Sequence, residues 1–207
     1  MEEHQLSGPE HKLERLIFFS DAVFAIAITL LVIDLRAPHL PGGATGRDYA
    51  IALLNETPRF GGFMISFFVI GAFWAGHHRA FALARTWSDR LIGPNLMLLC
   101  AIAALPFFTA FLSANAGGRL PALLYCLWLM IAGLLNMRLQ RLVVAPPVVD
   151  PNAPTEQAAV IRRRGGAVVL GAALAFGLAL IAPIPALGLL ALMTIGLWRR
   201  LLTRVSA

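Results

Sequence analysis

Arg15-Leu-Ile-Phe-Phe19-Ser20-Asp21, running on through Ala-Val-Phe-Ala25-Ile26-Ala-Ile-Thr29-Leu30-Leu-Val-Ile33-Asp34 to Leu35, is the stretch that decides the fold. From Leu16 to Leu35 it offers twenty residues, almost all apolar. As an α-helix that is the length needed to cross a hydrocarbon core of about 30 Å. Asp21 nevertheless lies inside it. A carboxylate at that depth costs roughly 2.5 to 3.5 kcal/mol on insertion scales unless it finds a partner or water, so Asp21 marks a site of function or assembly.

The remainder of the chain has the same character. Of its 207 residues, 58% are hydrophobic and 14% charged, and the mean hydropathy is +0.75, whereas soluble domains carry about 25% charged residues. The expected fold class is all-α, an integral membrane subunit with six transmembrane helices at approximately 16–35, 60–78, 91–112, 120–138, 165–182 and 184–201. Residues 1–15, polar and mixed in charge, lack the basic start and short apolar core of a cleaved signal peptide. They read as a cytoplasmic N-terminal segment ahead of a permanent first span, with 16–207 as one transmembrane domain. The corner Pro183-Ile-Pro185 forces the last two helices into an antiparallel hairpin, because proline interrupts the helical hydrogen-bond ladder. Pro146 to Gln157 reads as a Pro-rich linker. The loop from Arg36 to Arg59 has room for a short interfacial helix near Tyr49 to Leu54. Cys100 and Cys126 fall in apolar segments, where a thiol packs as a small hydrophobe, so neither a disulfide nor a metal site is expected.

Basic residues set the expected sidedness. With six spans both termini share one side, and that side, with its loops, carries thirteen of the seventeen Lys and Arg residues. Only Arg36, Arg47, Arg59 and Arg119 fall on the other. Lys and Arg concentrate in cytoplasmic loops, which makes both termini cytoplasmic and accounts for most of the net charge of +6. Nucleic-acid binding is a poor rival, because the basic residues are divided among loops and tails with no aromatic stacking module.

Depth along the helices brings a set of polar residues to one level. Asp21 lies six residues beyond Arg15, about 9 Å at 1.5 Å per residue, with Ser20 beside it. Trp74 and His77 precede Arg79 by five and two residues, and Asn95 follows Arg90 by five. Since hydrocarbon offers no water, donors and acceptors at this level must satisfy one another. Asp21 can accept from His77, from the Trp74 indole and from the Asn95 amide. One consequence is a network that locks the first three helices together. The other is a proton relay or cation-binding carboxylate built on Asp21 and His77. Metal chelation by His77 and His78 ranks lower, since adjacent helical residues point about 100° apart. Nucleophilic catalysis lacks a Gly-x-Ser-x-Gly elbow and phosphate binding lacks a Gly-rich loop, so no enzyme is expected and no cofactor.

Beyond that level the first helix places Ile26, Leu30 and Ile33 at i, i+4 and i+7, with Ala22, Ala25 and Thr29 as small or weakly polar flanks. Alone, such a stripe reads as lipid-facing or core. Small residues at fourfold spacing, Ala25 with Thr29, Ala167 with Gly171 and Ala173 with Gly177, favour close helix approach.

The pattern Arg15-xxx-Phe19-Ser20-Asp21, followed by Ala25-Ile26, Thr29 and Leu30-Leu31, resembles the first-helix signature of the transmembrane protein 175 family, the bacterial and lysosomal potassium channels. Trp74-Ala-Gly-His77-His78 and Asn95-xxx-Leu99 with Pro106-Phe107 resemble that family's second and third helices. The resemblance implies a single-repeat bacterial member whose six-helix subunits form a homotetramer around a pore lined by the first helix. It implies passive conduction of potassium and other monovalent cations; separately, with sixteen of the seventeen basic residues Arg, composition points to a GC-rich bacterial source and a location in the cell (plasma) membrane. By motif alignment Ile26 is the apolar constriction, with Leu30 and Ile33 as further rings and Thr29 as a hydroxyl layer. Arg15, Ser20, Asp21, Trp74, His77 and Asn95 are the interhelical polar network. No metal is implied beyond permeant cations, and the bilayer is the other partner. The chain has no Thr-Val-Gly-Tyr-Gly loop, so selectivity cannot come from a carbonyl filter, whereas apolar rings gate by dewetting. Asp34, near the outer end of this helix, can raise local cation concentration or pair with Arg36. The rival expectation is a proton-coupled secondary transporter using Asp21 and His77.

Overall fold

The computed structural model describes residues 9–202. Helix α1 spans Pro9–Leu30 and tightens into a 3₁₀ turn at Leu31–Asp34. It is followed by α2 (Gly46–Asn55), α3 (Thr57–Phe81), α4 (Ile92–Ala103), α5 (Leu105–Ala114), α6 (Arg119–Val143), α7 (Thr155–Ala179) and α8 (Pro183–Leu202). No strand occurs among the described residues. Four stretches, His11–Asp34, Thr57–Phe81, Asp89–Ala114 and Arg119–Val143, are long and apolar enough to cross a membrane, and Pro183–Gly196 is a shorter apolar helix. The first eight residues and Arg204, which entered the N-terminal and charge readings, lie outside the described residues, and the side chains of Arg199 and Arg200 are likewise not described.

The helices depart from the bounds read from hydropathy in several places, beginning with α1, which starts at Pro9 inside the segment 1–15 expected to precede the first span. The stretch expected as one helix at 91–112 is two, because Pro106 has no N–H to give the carbonyl of Ile102 and the ladder breaks at Ala104. Helix α6 continues to Val143, and α7 begins at Thr155, taking in Arg162, Arg163 and Arg164. Arginine is a good helix former. Hydropathy marks the apolar part of such a helix and not its end. The Pro-rich segment is correspondingly short, since Thr155, Glu156 and Gln157 already belong to α7.

Helix α2 forms where a short interfacial helix had room. Thr45 caps it: its hydroxyl and its backbone N–H donate to Asp48 Oδ2 at 2.7 and 2.8 Å, and the Asp48 N–H returns to Thr45 Oγ1 at 3.4 Å. These bonds hold the Asp48 carboxyl below the usual carboxylate range. A lowered folded value means the cap contributes fully above about pH 4, the value of a free aspartate, and fades as pH falls through the lowered value. Amide hydrogen exchange in α2 is therefore expected to be insensitive to pH-linked uncapping at neutral pH. It should quicken in strong acid, and a Thr45→Val variant should lose the protection throughout.

Helices α6 and α7 pack along their lengths and α8 folds back on α7. Gly133 on α6 faces Val168 and Val169, and Gly171 on α7 lies where any side chain would meet Met193 of α8. Gly177, also expected at a helix contact, faces open space. A second polar node lies in the core. Ser66 on α3 bonds Thr109 of α5 at 2.7 Å and the buried Tyr125 hydroxyl of α6 at 2.9 Å. At one end of the bundle the loop after α3 clasps the loop after α6. Arg85 and Thr86 donate backbone N–H groups to the Val148 carbonyl at 2.9 and 3.1 Å, and Asp150 donates to Leu83 at 2.8 Å.

Candidate functional site

Helix α1 packs on α3, α4 and α5 and, among the described residues, makes no substantial contact with α6, α7 or α8. Its inward face is Leu13, Ser20, Phe24, Ala27 and Leu31, all buried. At 100° per residue the opposite face carries Arg15, Phe19, Ile26, Leu30 and Ile33. Within the subunit Ile26 is 58% exposed and Ile33 68%, with Leu30 and Thr29 also exposed. Ile28, turned toward the bundle, packs partly buried against the core. The Thr29 hydroxyl donates to the Ile26 carbonyl at 2.9 Å, an i−3 bond that satisfies it without a partner helix.

The polar level forms as two separate groups. In the first, Asn95 Nδ2 donates to Ser20 Oγ at 2.9 Å and Ser20 Oγ donates to the Leu16 carbonyl at 2.7 Å. With the amide so oriented, Asn95 Oδ1 accepts, and His77 Nε2 supplies the proton at 3.0 Å. Ser20, His77 and Asn95 are buried. The His77 ring stacks on Phe81 at 4.4 Å and meets the edge of Phe24 at 5.6 Å, while its Nδ1 has no partner. In the second group Trp74 Nε1 donates to Asp21 Oδ1 at 2.9 Å.

The expectation that Asp21 accepts from His77 and Asn95 as well as Trp74 is corrected by this geometry. Ser20 and Asp21 are adjacent, so their side chains diverge by about 100°. Ser20 enters the α1–α4 interface and Asp21 turns to the rim of α3, where Trp74 is itself half-exposed. Arg15 also stands apart. It is exposed and makes no ion pair or hydrogen bond among the described residues, because it lies on the face opposite Ser20. The node Ser66–Thr109–Tyr125 was missed by reading depth only from the basic ends. Its signal was present, since Ser66 and Thr109 are polar residues inside apolar spans and must find partners there.

Fold and site together define a multi-pass helical membrane protein whose first helix is held on one face by buried hydrogen bonds and bare on the other. Residues 15–106, which contain every member of both polar groups and the whole exposed stripe, match the family model described as endosomal/lysosomal potassium channel TMEM175. The chain is 35% identical over 188 residues to a potassium channel of Streptomyces collinus, covering 86% of this chain and 89% of that one. It is 31% identical over 113 residues to the human endosomal/lysosomal proton channel TMEM175, covering 52% of this chain and 22% of the human protein. Its fold matches the crystal structure of a lysosomal potassium-selective channel TMEM175 homolog from Chamaesiphon minutus with a TM-score of 0.80 at 26% identity, over 91% of this chain and 97% of that one. The chain belongs to the TMEM175 family.

Proposed function

We propose that this protein is a passive potassium-permeable cation channel in which α1 lines a central pore of a homotetramer. The observation that carries the reading is the stripe Ile26, Leu30 and Ile33, exposed along a helix whose other face is locked by Ser20, Asn95 and His77. In a lone subunit such a stripe would face lipid; in an assembly it is free to face a shared axis. Four copies converging on an axis would make rings that exclude water and admit ions only when they hydrate. The relatives named as potassium channels support the permeant ion. A proton-coupled transporter built on Asp21 and His77 loses its footing, since each of the two is hydrogen-bonded to a different partner.

In this reading the subunit crosses the plasma membrane six times, with the α3–α4 and α6–α7 loops and both termini cytoplasmic. The backbone clasp between the first two of these supports their lying on one side, and the distribution of Lys and Arg supports that side being the cytoplasm. In a Cys100→Ala background, a cysteine at Ala44 should react with impermeant thiol reagents added outside intact cells, and one at Asn152 should not. The opposite pattern would reverse the sides. Conduction itself is tested with purified protein in liposomes under a potassium gradient and a fluorescent flux readout. Flux that relaxes to the potassium equilibrium potential supports a channel, and a reversal potential set by fixed coupling to protons refutes it.

A further inference from the structure

Away from α1, a cleft of about 330 Å³ opens between α3, α6, α7 and α8. That volume is within the range of small-ligand sites. Its walls are apolar, with Phe73, Leu129, Leu190 and Met193 prominent. Thr194 also lines it, but its hydroxyl donates to the Leu190 carbonyl at 2.8 Å. The remaining polar wall is Asn136. Asn136 stands two residues before Arg138, and Leu129 lies seven residues deeper on α6, about 10.5 Å along the axis. In a membrane the cleft therefore has its amide at the basic end of the bundle and its hydrocarbon toward the middle.

Asn136 is 3% exposed, yet its Oδ1 has no hydrogen-bond partner, and no other bond of its side chain is formed among the described residues. Buried amides are almost always paired, so this one calls for a ligand or water. Its neighbour Gln140, whose Oε1 is likewise unpaired, is served differently. It borders a side chamber of about 20 Å³, which has room for one water able to donate to that oxygen. Asn136 Oδ1 has two lone pairs, so a bond from the same water leaves one for the cleft. What approaches it from the cleft must bring a proton. Esters, ethers and carboxylates have none to give. An ammonium has, but it costs far more to desolvate against hydrocarbon, and it would stand near Arg79 and Arg164, which border the side chamber. Among neutral groups a hydroxyl is the smallest that donates to Oδ1 and accepts from Nδ2 as well.

We propose that this cleft binds a neutral medium-chain alcohol, with its hydroxyl on Asn136 and its tail along Phe73, Leu129, Leu190 and Met193. At about 30 Å³ for a water-sized group the volume takes roughly eleven heavy atoms, the size of an alcohol of roughly eight to ten carbons. A membrane acyl chain entering from the side fills the apolar walls but leaves the amide unpaired. The site rests on the packing of α3, α6, α7 and α8 and not on the channel reading.

The test is photolabelling of the purified full-length protein in phosphatidylcholine liposomes with a diazirine-bearing octanol, the adducts being mapped by peptide mass spectrometry. Adducts should fall on the cleft walls, at Phe73, Leu129 or Met193. Octan-1-ol should compete with the label. Its isomer heptyl methyl ether, equal in size but without a proton to give, should need a roughly two- to tenfold higher membrane concentration, the factor one hydrogen bond carries. Octanoate should compete no better than the ether. Asn136→Leu should keep the labelling and erase the difference between alcohol and ether. Ala167→Trp, which fills the cleft from an exposed position on its wall, should abolish the labelling. If Asn136→Leu does not fold, the alcohol and the ether compared on the unaltered protein decide alone. Equal competition by those two would mean that the cleft takes any hydrocarbon chain, and would overturn the proposal. So would stronger competition by octanoate, adducts outside the cleft, labelling that persists in Ala167→Trp, or an alcohol preference that survives Asn136→Leu.

Discussion

Replacing Ile26 with Asn should raise potassium flux in liposomes by about tenfold or more, equivalent to at least about 1.4 kcal/mol off the barrier, and should alter the discrimination between potassium and sodium. Ions meeting a ring of branched hydrocarbon must shed hydration without replacement ligands, and that step sets the barrier. Four amides at the same level supply oxygen ligands and keep water in the ring. Ala at this position widens the ring without adding ligands, so flux should rise with a smaller change in preference. Ile28 is the control. It packs partly buried against the subunit core, so Ile28→Ala should cost stability through lost packing and leave ion preference where it was. Currents are to be compared at matched oligomer content. If Ile26 and Ile28 variants are alike in preference and flux, α1 does not line the pore in this register.

The second large effect is expected at Asn95. Its amide bridges α1 and α4 to α3, donating to Ser20 at 2.9 Å and accepting from His77 at 3.0 Å, in a buried setting. Asn95→Ala removes both bonds and strands the His77 Nε2 proton, a loss of about 1 to 3 kcal/mol for one unpaired buried donor. For a chain of this size that corresponds to a fall in Tm of roughly 2 to 12 °C, with a matching drop in assembled oligomer on size exclusion. Asp21→Ala should cost less, because its single partner is the half-exposed Trp74, whose indole N–H is not left deep in the core. Equal losses from the two substitutions would show that the buried hub has been placed on the wrong residue.

Most of the architecture was legible because its cause is local. The twenty apolar residues from Leu16 to Leu35 demand a spanning helix, and no tertiary contact can override that demand in a bilayer. The level shared by Ser20, Trp74, His77 and Asn95 was equally readable, since depth follows from counting 1.5 Å per residue. What counting cannot supply is helix rotation. Partners at one level are chosen by which way each side chain turns, and a rotation of 100° moved Asp21 out of the buried group and left Arg15 on the far face. Hydropathy averages over Pro106 and so joins α4 to α5. The node at Ser66 was hidden for a related reason: it lies mid-span, far from any charge that could serve as a depth marker.

The two faces of α1 divide its residues by the kind of change they tolerate. Phe24, Ala27 and Leu31 are fixed by the packing of the subunit, and a substitution there is tested by folding before it is tested by anything else. Ile26, Leu30 and Ile33 are exposed within their own chain, so they can vary at smaller cost to the monomer, and in the proposed assembly they would answer to the neighbouring subunits and to the ions that pass. If the stripe lines the pore as proposed, ion preference could change through it on an unchanged scaffold, without crossing an unstable intermediate.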